Sequence, residues 1–111
     1  MLAAEEPKPA VVVPIDGILD LHAFRPRDLG TLVPEYLEQC RRRGILQARL
    51  VHGKGTGALA RGVQALLRRL PAVVGFRLAG PGAGDWGATL VWLAPLAPLT
   101  AFRIFAVIER T

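Results

Sequence analysis

The sequence predicts a two-layer α/β sandwich, an α+β arrangement in which two helices cover one mixed four-stranded sheet. With 111 residues, the chain can form one compact domain but not two separate cores. Hydrophobic residues make up 51% of the chain and aromatic residues only 6%, so the core should consist mainly of aliphatic side chains. Two segments with helical spacing alternate with short β-prone runs, which predicts the element order βαβαββ.

An extended N-terminal arm is expected over residues 1–14, which contain three prolines and no helical pattern. Glu5 and Glu6 stand where a signal peptide needs positive charge, and no apolar run approaches the length of a bilayer span. Cys40 is the only cysteine, which excludes an intramolecular disulfide and fits a reducing compartment. We therefore expect a cytoplasmic protein with no membrane partner.

The domain proper is predicted to occupy residues 15–94, and its first strand lies in the segment GILDLHAF. Leucines alternate there with Asp20 and His22, which is the pattern of a half-buried strand. Because Asp20 and His22 are two residues apart on a strand, they share one face, where the carboxylate can orient the imidazole.

The first helix is predicted over residues 28–43, where apolar residues recur at helical spacing until Gly44. Pro34 lies inside this pattern, so the helix either begins late or is kinked at that residue. A second strand is predicted over residues 48–52 and a second helix over residues 58–70.

The third and fourth strands are predicted over residues 72–79 and 88–94, joined by a glycine-rich loop. Such a short loop makes a hairpin, so the fourth strand should run antiparallel and the sheet should be mixed. Residues 95–111 form a C-terminal extension in which AFRIFAVIE follows a proline-broken linker. This apolar run is interpreted as a fifth strand or as an edge that binds a partner, including a second copy of the chain.

The two histidines of the chain, His22 and His52, each follow a predicted strand. Adjacent parallel strands would bring both to one edge of the sheet, where open α/β sheets usually bind ligands. Positioned imidazoles exchange protons near neutral pH, so the pair is the first candidate for acid–base catalysis. The alternative is that each histidine is a structural residue at the end of its strand.

The turn HGKGTG follows the second strand and opens the second helix. Its backbone N–H groups and the positive end of the helix dipole favour an anion, and glycine lets a phosphate approach the backbone closely. The turn fits neither the Walker A loop nor the GxGxxG fingerprint, so its glycines could instead serve only a tight connection. The predicted phosphate-binding residues are Gly53, Lys54, Gly55, Thr56 and Gly57.

Positive charge favours a nucleic-acid partner for this chain. The formal net charge is +5, and arginine, which suits bidentate phosphate contacts, outnumbers lysine twelve to two. The charge alone is equally consistent with a solubilising surface. Further candidate nucleic-acid contacts are Arg25, Arg27, Arg61, Trp86, Gly87 and Thr89.

Three motifs occur in order along the domain: LDLHAFRP, LVHGKGTGALARGVQALL and GAGDWGATLVWL. They resemble the Leu-Asp-Leu-His-Gly, His-Gly-Lys-Gly and Gly-Gly-x-Gly-Ala-Thr signatures of the Smr (small MutS-related) domain family. Domains of this family occur alone in small bacterial proteins and at the C-terminus of some MutS-like proteins. The resemblance implies a stand-alone Smr protein with a sandwich fold similar to the C-terminal domain of bacterial translation initiation factor three.

The resemblance also implies a function. Smr domains are reported as nicking DNA endonucleases or as RNA endonucleases, some acting on messenger RNA at stalled ribosomes, so DNA, RNA and the ribosome are expected partners. Asp20 and His22 match the motif linked to cleavage, and residues 52–55 match the motif linked to backbone binding and activity. Ala23 replaces the usual glycine of the first motif, and Asp85 replaces the second glycine of the last motif.

We therefore expect an endonuclease that cleaves or nicks phosphodiesters with Asp20, His22 and His52 as its catalytic residues. The two histidines would divide base and acid roles, or Asp20 with Asp85 would hold a divalent cation such as Mg²⁺. Two other classes stay open: a non-catalytic module that binds RNA, DNA or the ribosome, and a protein-interaction domain that uses the C-terminal strand. The chain contains no serine, which excludes a Ser-His-Asp triad.

Overall fold

Four short β-prone runs pair into one mixed sheet, and two amphipathic helices cover one of its faces. The structure, a computed structural model, describes residues 13–80 and 87–96. Its elements are β1 Ile18–Asp20, α1 Leu29–Arg42, β2 Gln47–Val51, α2 Ala58–Leu67, β3 Val73–Leu78 and β4 Ala88–Leu93. This order and the mixed four-stranded sheet confirm the predicted fold class.

Several predicted features lie outside the residues that the structure describes. Residues 1–12 of the N-terminal arm lie outside the described residues, as do Asp85 and Trp86 of the glycine-rich loop. The proposed fifth strand, and with it the C-terminal edge expected to bind a partner, lies in residues 97–111, which are also outside the described part.

The strand order is β1-β2-β4-β3, which places the last strand between two earlier ones. β1 pairs with β2 in parallel, with Leu19 opposite Leu50, and β4 runs antiparallel to both β2 and β3. The predicted antiparallel direction of the fourth strand is thus confirmed. Because Ala88 lies opposite Val51, the start of β4 lies next to the carboxyl ends of β1 and β2. We call this edge of the sheet, formed by residues 20–22, 51–53 and 87–89, the rim.

The first strand is shorter than the alternation of leucines predicts. It ends at Asp20, and residues 21–23 form a 3-10 turn instead of continuing the strand. The cause is the Asp20 side chain, whose Oδ1 accepts a hydrogen bond of 2.9 Å from the backbone N–H of His22. Asp20 and His22 therefore meet across a capped turn and not on a strand face.

The core lies between the sheet and the helices. Leu19, Leu50 and Val91 of the sheet are at most 2% exposed and pack against apolar residues of both helices. The helical members of this buried cluster are Leu29, Val33, Tyr36, Leu37, Cys40, Val63 and Leu67. The opposite face of the sheet carries a smaller buried cluster of Ala79, Ala88 and Leu90.

The helix boundaries differ slightly from the prediction. α1 begins at Leu29 and contains Pro34, so it does not begin late. The proline has no N–H to donate to the carbonyl of Gly30, and that carbonyl loses its helical partner. α2 ends at Leu67 because the chain tightens there into i→i+3 bonds, such as the one from Leu70 N–H to the Leu67 carbonyl. No helix within the described ranges is both long and apolar enough to cross a membrane.

Candidate functional site

The parallel pairing of β1 and β2 brings the two sequence motifs into contact at the rim. Gly53 follows β2 with a φ of +83°, a conformation that favours glycine. A Cβ placed on Gly53 would lie 2.7 Å from Nε2 of His22, so the imidazole ring rests directly against the backbone of Gly53. Only a residue without a side chain allows this contact, which joins the Asp-Leu-His segment to the glycine turn.

Asp20 orients the exposed ring of His22. Nδ1 of His22 lies 2.8 Å from Oδ1 of Asp20, and the side chains are 58% and 64% exposed, respectively. A carboxylate can only accept, so we assign the proton to Nδ1, which leaves the lone pair of the neutral ring on Nε2. The hydrogen bond from the backbone N–H of His22, followed by that from its ring, lowers the pKa of Asp20 below its usual value. The carboxylate is therefore ionised at neutral pH and remains so well into the acid range.

His52 has a different environment, because it is buried with a residual exposure of 4%. Its Nδ1 lies 2.9 Å from the carbonyl oxygen of Gly53, and its Nε2 lies 2.9 Å from Oγ1 of Thr89. The carbonyl accepts from Nδ1–H, so Nε2 must accept the hydroxyl proton of Thr89. The side-chain amide of Gln64 donates to the same Oγ1 over 3.5 Å, which completes a series of hydrogen bonds from Gln64 through Thr89 to His52. Both ring nitrogens are occupied, and in this arrangement His52 presents neither of them to a ligand at the rim.

The glycine turn has both engaged and available amide groups. The N–H groups of His52 and Gly53 donate to the carbonyl of Gly87 over 3.0 and 2.8 Å, which ties the turn to the start of β4. The Gly53 amide, predicted to bind a phosphate, is therefore already used within the protein. Among the described residues, no partner accepts from the N–H groups of the segment Gly55–Gly57. These donors stand before the first turn of α2, where the helix dipole favours an anion.

Gly57 is the N-cap residue that precedes α2, and its φ of +86° is reached easily only by glycine. Oγ1 of Thr56 accepts from the N–H of Ala58 over 3.3 Å, so the hydroxyl supports the first turn although Gly57 is the N-cap residue. A Cβ on Gly57 would lie 3.0 Å from Nη1 of Arg61, which places that guanidinium beside the turn. Lys54 is exposed on the same turn.

The other predicted contacts are distributed around this centre. Arg25 and Arg27 are exposed and flank Pro26, a residue that lines a groove beside the turn. Thr89 is fully buried, so it acts on the site only indirectly, through its hydrogen bond to Nε2 of His52. The carbonyl of Gly87 holds the turn in place.

The groove beside the turn is the feature that sequence reasoning missed. It has a volume of about 620 Å³ and runs between the start of α1 and one side of α2, with the glycine turn at one end. Gly30, Gly62 and Arg69 belong to its lining, together with Pro26 and apolar residues of α2. The signal in the sequence was the presence of two glycines inside otherwise helical patterns. Gln64 was also missed, because a single glutamine on a helix carries no pattern.

The residues able to bind a metal ion are few in the described part of the chain. No group of three or more histidine, cysteine, aspartate or glutamate side chains is arranged to hold an ion in residues 13–80 and 87–96. Asp20 is the candidate ligand that these residues include, and its Oδ1 already accepts two hydrogen bonds from His22. Asp85, the other predicted ligand, lies outside them.

Fold and rim together define a small α/β sandwich domain with a glycine-rich turn next to a carboxylate–histidine pair. Comparison with protein families identifies it further, since the Smr domain matches residues 19–94. The chain belongs to the Smr domain family.

Relatives at the sequence level are endonucleases named MutS2. The chain is 38% identical over 94 residues to Endonuclease MutS2 of Thermus thermophilus, a match that covers 83% of this chain and 13% of the relative. It is 40% identical over 73 residues to Endonuclease MutS2 of Staphylococcus saprophyticus, covering 66% of this chain and 9% of that protein. The chain therefore spans only about a tenth of the length of these relatives.

Two solved structures are similar to the described fold. The Smr domain of Thermus thermophilus MutS2 superposes with a TM-score of 0.65 at 40% identity, covering 70% of this chain and 98% of that domain. YdaL, a stand-alone small MutS-related protein from Escherichia coli, gives a TM-score of 0.60 at 24% identity, covering 72% of this chain and 66% of YdaL. The second likeness concerns the fold alone, whereas the first extends to the sequence of the domain.

Proposed function

We propose that this chain is a nucleic-acid-binding Smr domain that cleaves phosphodiester bonds at the rim. The observation that supports this most directly is the geometry of His22, whose Nδ1 is held by Asp20 while Nε2 lies against the glycine turn. An anion bound to the turn would lie next to a nitrogen that can accept a proton. The MutS2 relatives are named endonucleases, which is consistent with this chemistry.

The phosphate is proposed to bind to the amides of Gly55, Thr56 and Gly57 at the start of α2. These N–H groups have no partner among the described residues, and the helix dipole adds positive potential at the same point. Arg61 lies beside Gly57 and can donate to a non-bridging oxygen of the phosphate, with Lys54 on the same turn. The net charge of +5 favours association of the chain with a polyanion.

His22 is proposed as the general base. Its Nε2 takes the proton of the attacking hydroxyl, supplied by water or by a ribose 2′-hydroxyl, as the new phosphorus–oxygen bond forms. The bond to the leaving oxygen then breaks, and the imidazolium returns its proton to that oxygen. The ionised Asp20 stabilises the imidazolium between these two events.

His52 is proposed as a positioning residue, in contrast to the acid–base role that its place after β2 suggested. Its ring fixes the carbonyl of Gly53 and thereby the backbone of the turn that receives the phosphate. Among the described residues Asp20 belongs to no group of three or more candidate ligands, so we derive no step through a metal ion. Cleavage assays with and without a chelator distinguish the metal-free histidine mechanism from one that uses a divalent cation.

The test is a gel assay with labelled single-stranded RNA, supercoiled plasmid and branched DNA, in magnesium and in chelator. His22→Ala should lower the cleavage rate by about 10² to 10⁴-fold, the usual contribution of a general base, without loss of binding. The matched control is Arg42→Ala, a change at the exposed far end of α1, which should cleave at the wild-type rate.

Other outcomes would assign the chain to a different class. If His22→Ala cleaves as fast as wild type, the catalytic role of His22 is wrong. If the wild type binds nucleic acid with a steep salt dependence but never cleaves, the chain is a non-catalytic binding module. Absence of binding together with a mass that rises with concentration would favour a protein-interaction domain.

A further inference from the structure

We propose that the groove between α1 and α2 binds an unpaired nucleobase, so that the substrate is single-stranded or locally unpaired nucleic acid. This inference rests on the proposed function, because the base would belong to the nucleotide whose phosphate is held by the glycine turn. The groove and the turn are continuous, since residues 53–57 form one end of the groove.

The size and lining of the groove suit a nucleobase with its sugar. Its volume of about 620 Å³ lies within the range of roughly 300 to 1,000 Å³ that is typical of small-molecule sites. The interior is lined by aliphatic side chains, among them Leu29, Leu59 and Leu66. Flat bases pack well between apolar side chains once they leave the base stack.

Two helical glycines keep the groove open. Gly30 in α1 and Gly62 in α2 both line it, and a Cβ placed on either would find no atom within 4 Å. Neither glycine is therefore required by the packing of the described protein. Gly62, in the interior of α2, costs that helix about 1 kcal/mol relative to alanine, which is a stability loss without an internal reason. A ligand that approaches both helix backbones would supply the reason.

The charges around the groove identify the ligand more closely. Its apolar interior ends at the available amides of the turn, with Lys54 and Arg69 in its lining and Arg61 beside Gly57. The site thus fits a molecule that has a flat apolar part and a phosphate joined to it. A base inside a duplex is stacked and paired, and extruding it costs a few kcal/mol, so an unpaired strand should bind better.

The experiment compares binding of three fluorescent ligands by anisotropy: a short DNA single strand, its duplex, and the same backbone without bases. The variant is Gly62→Leu, whose side chain would extend into the groove, and the control is Ala65→Leu on an exposed position of α2 that does not line it. Gly62→Leu should weaken single-strand binding at least about tenfold, or about 1.4 kcal/mol, and Ala65→Leu should not. The base-free strand should bind both variants and wild type equally.

Thermal unfolding keeps the result interpretable. Leucine favours a helix more than glycine does, so Gly62→Leu should melt no lower than wild type while binding less well. The inference is overturned if Gly62→Leu binds the single strand as tightly as wild type does. It is also overturned if wild type binds the duplex and the base-free strand as tightly as the single strand with bases. In that case salt-dependent binding would leave the proposed function intact. If wild type binds none of the three ligands, both the groove assignment and the proposed function fail.

Discussion

At the scale of single residues, His52 holds the glycine turn through a chain of hydrogen bonds that begins at Gln64 and passes through Thr89. Replacing the fully buried Thr89 by valine preserves shape but leaves Nε2 of His52 without a donor. We expect Thr89→Val to lower the free energy of unfolding by about 1 to 3 kcal/mol, the usual cost of an unsatisfied buried group. It should also weaken oligonucleotide binding, because the Gly53 carbonyl is less firmly held.

Urea unfolding and an oligonucleotide titration measure the two effects of Thr89→Val. Thr31→Val, on the exposed side of α1, makes the same chemical change away from any buried partner and should alter neither quantity. Equal stability of the two variants would show that the hydrogen bond to His52 contributes nothing.

Tyr36 gives the protein a stability limit at alkaline pH. Its hydroxyl accepts from the N–H of Gly17 over 3.0 Å, and burial raises its pKa to about 12. Since the folded pKa lies above the ordinary value of 10.0, this contribution is complete below pH 10 and is lost as the pH rises toward 12. Burial also raises the pKa of the Cys40 thiol. The stability that this group contributes is therefore also lost as the pH rises, and the loss begins at a lower pH than for Tyr36.

Tyr36→Phe should therefore change how stability depends on pH. At neutral pH the variant should be less stable by about 1 to 3 kcal/mol, because the Gly17 N–H loses its acceptor. Between pH 10 and 12 wild type should lose stability faster than the variant, which keeps only the contribution of Cys40. Denaturant titrations at neutral pH and at pH 11 measure this, and parallel slopes for both proteins would contradict the assignment.

How far the sequence predicts the site differs between the two histidines. Each histidine follows the end of a predicted strand, and this placement correctly predicted that both lie at one edge of the sheet. The spacing carries no information on burial, and the partner that engages Nε2 of His52 lies 37 residues away on a strand whose position was unknown. The Asp20–His22 pair was predicted, although by strand alternation and not by the capped turn that forms it.

At the scale of elements, the glycine turn depends on a contact between β2 and the turn after β1. Gly53→Ala would place a methyl group 2.7 Å from Nε2 of His22, besides straining a backbone with a φ of +83°. We expect cleavage to fall at least about tenfold, because the ring must leave its place at the turn, together with about 1 to 2 kcal/mol of stability.

Gly44→Ala is the matched control for this contact. Gly44 also has a positive φ, of +76°, but a Cβ there would find no atom within 4 Å. Both variants share the backbone strain, so a difference in cleavage rate between them reports the displacement of His22. Equal cleavage rates in the two variants would contradict a specific role of the contact between Gly53 and His22 in activity.

The elements themselves were largely predictable, whereas their arrangement was not. Periodicity predicted two helices and four strands close to their observed bounds, because an amphipathic face must be buried whatever its partner. It could not place β4 between β2 and β3, since the pairing depends on side chains from distant parts of the chain. That insertion brings the Gly87 carbonyl to the turn and completes the rim.

At the scale of the whole molecule, a net charge of +5 predicts salt-sensitive binding without saying where the polyanion lies. Arg61→Ala and Arg42→Ala remove the same charge from opposite ends of the domain, one beside Gly57 and one at the end of α1. If attraction were spread over the surface, both would weaken binding alike.

A phosphate held at the start of α2 predicts a difference between these two variants. Arg61→Ala should reduce the slope of log K against log salt by about 1, the effect of one lost phosphate contact, whereas Arg42→Ala should leave the slope unchanged. Anisotropy titrations over a range of salt concentrations measure both slopes. Equal slopes would place the nucleic acid away from the rim, because two variants of identical net charge differ only in the position of the lost guanidinium.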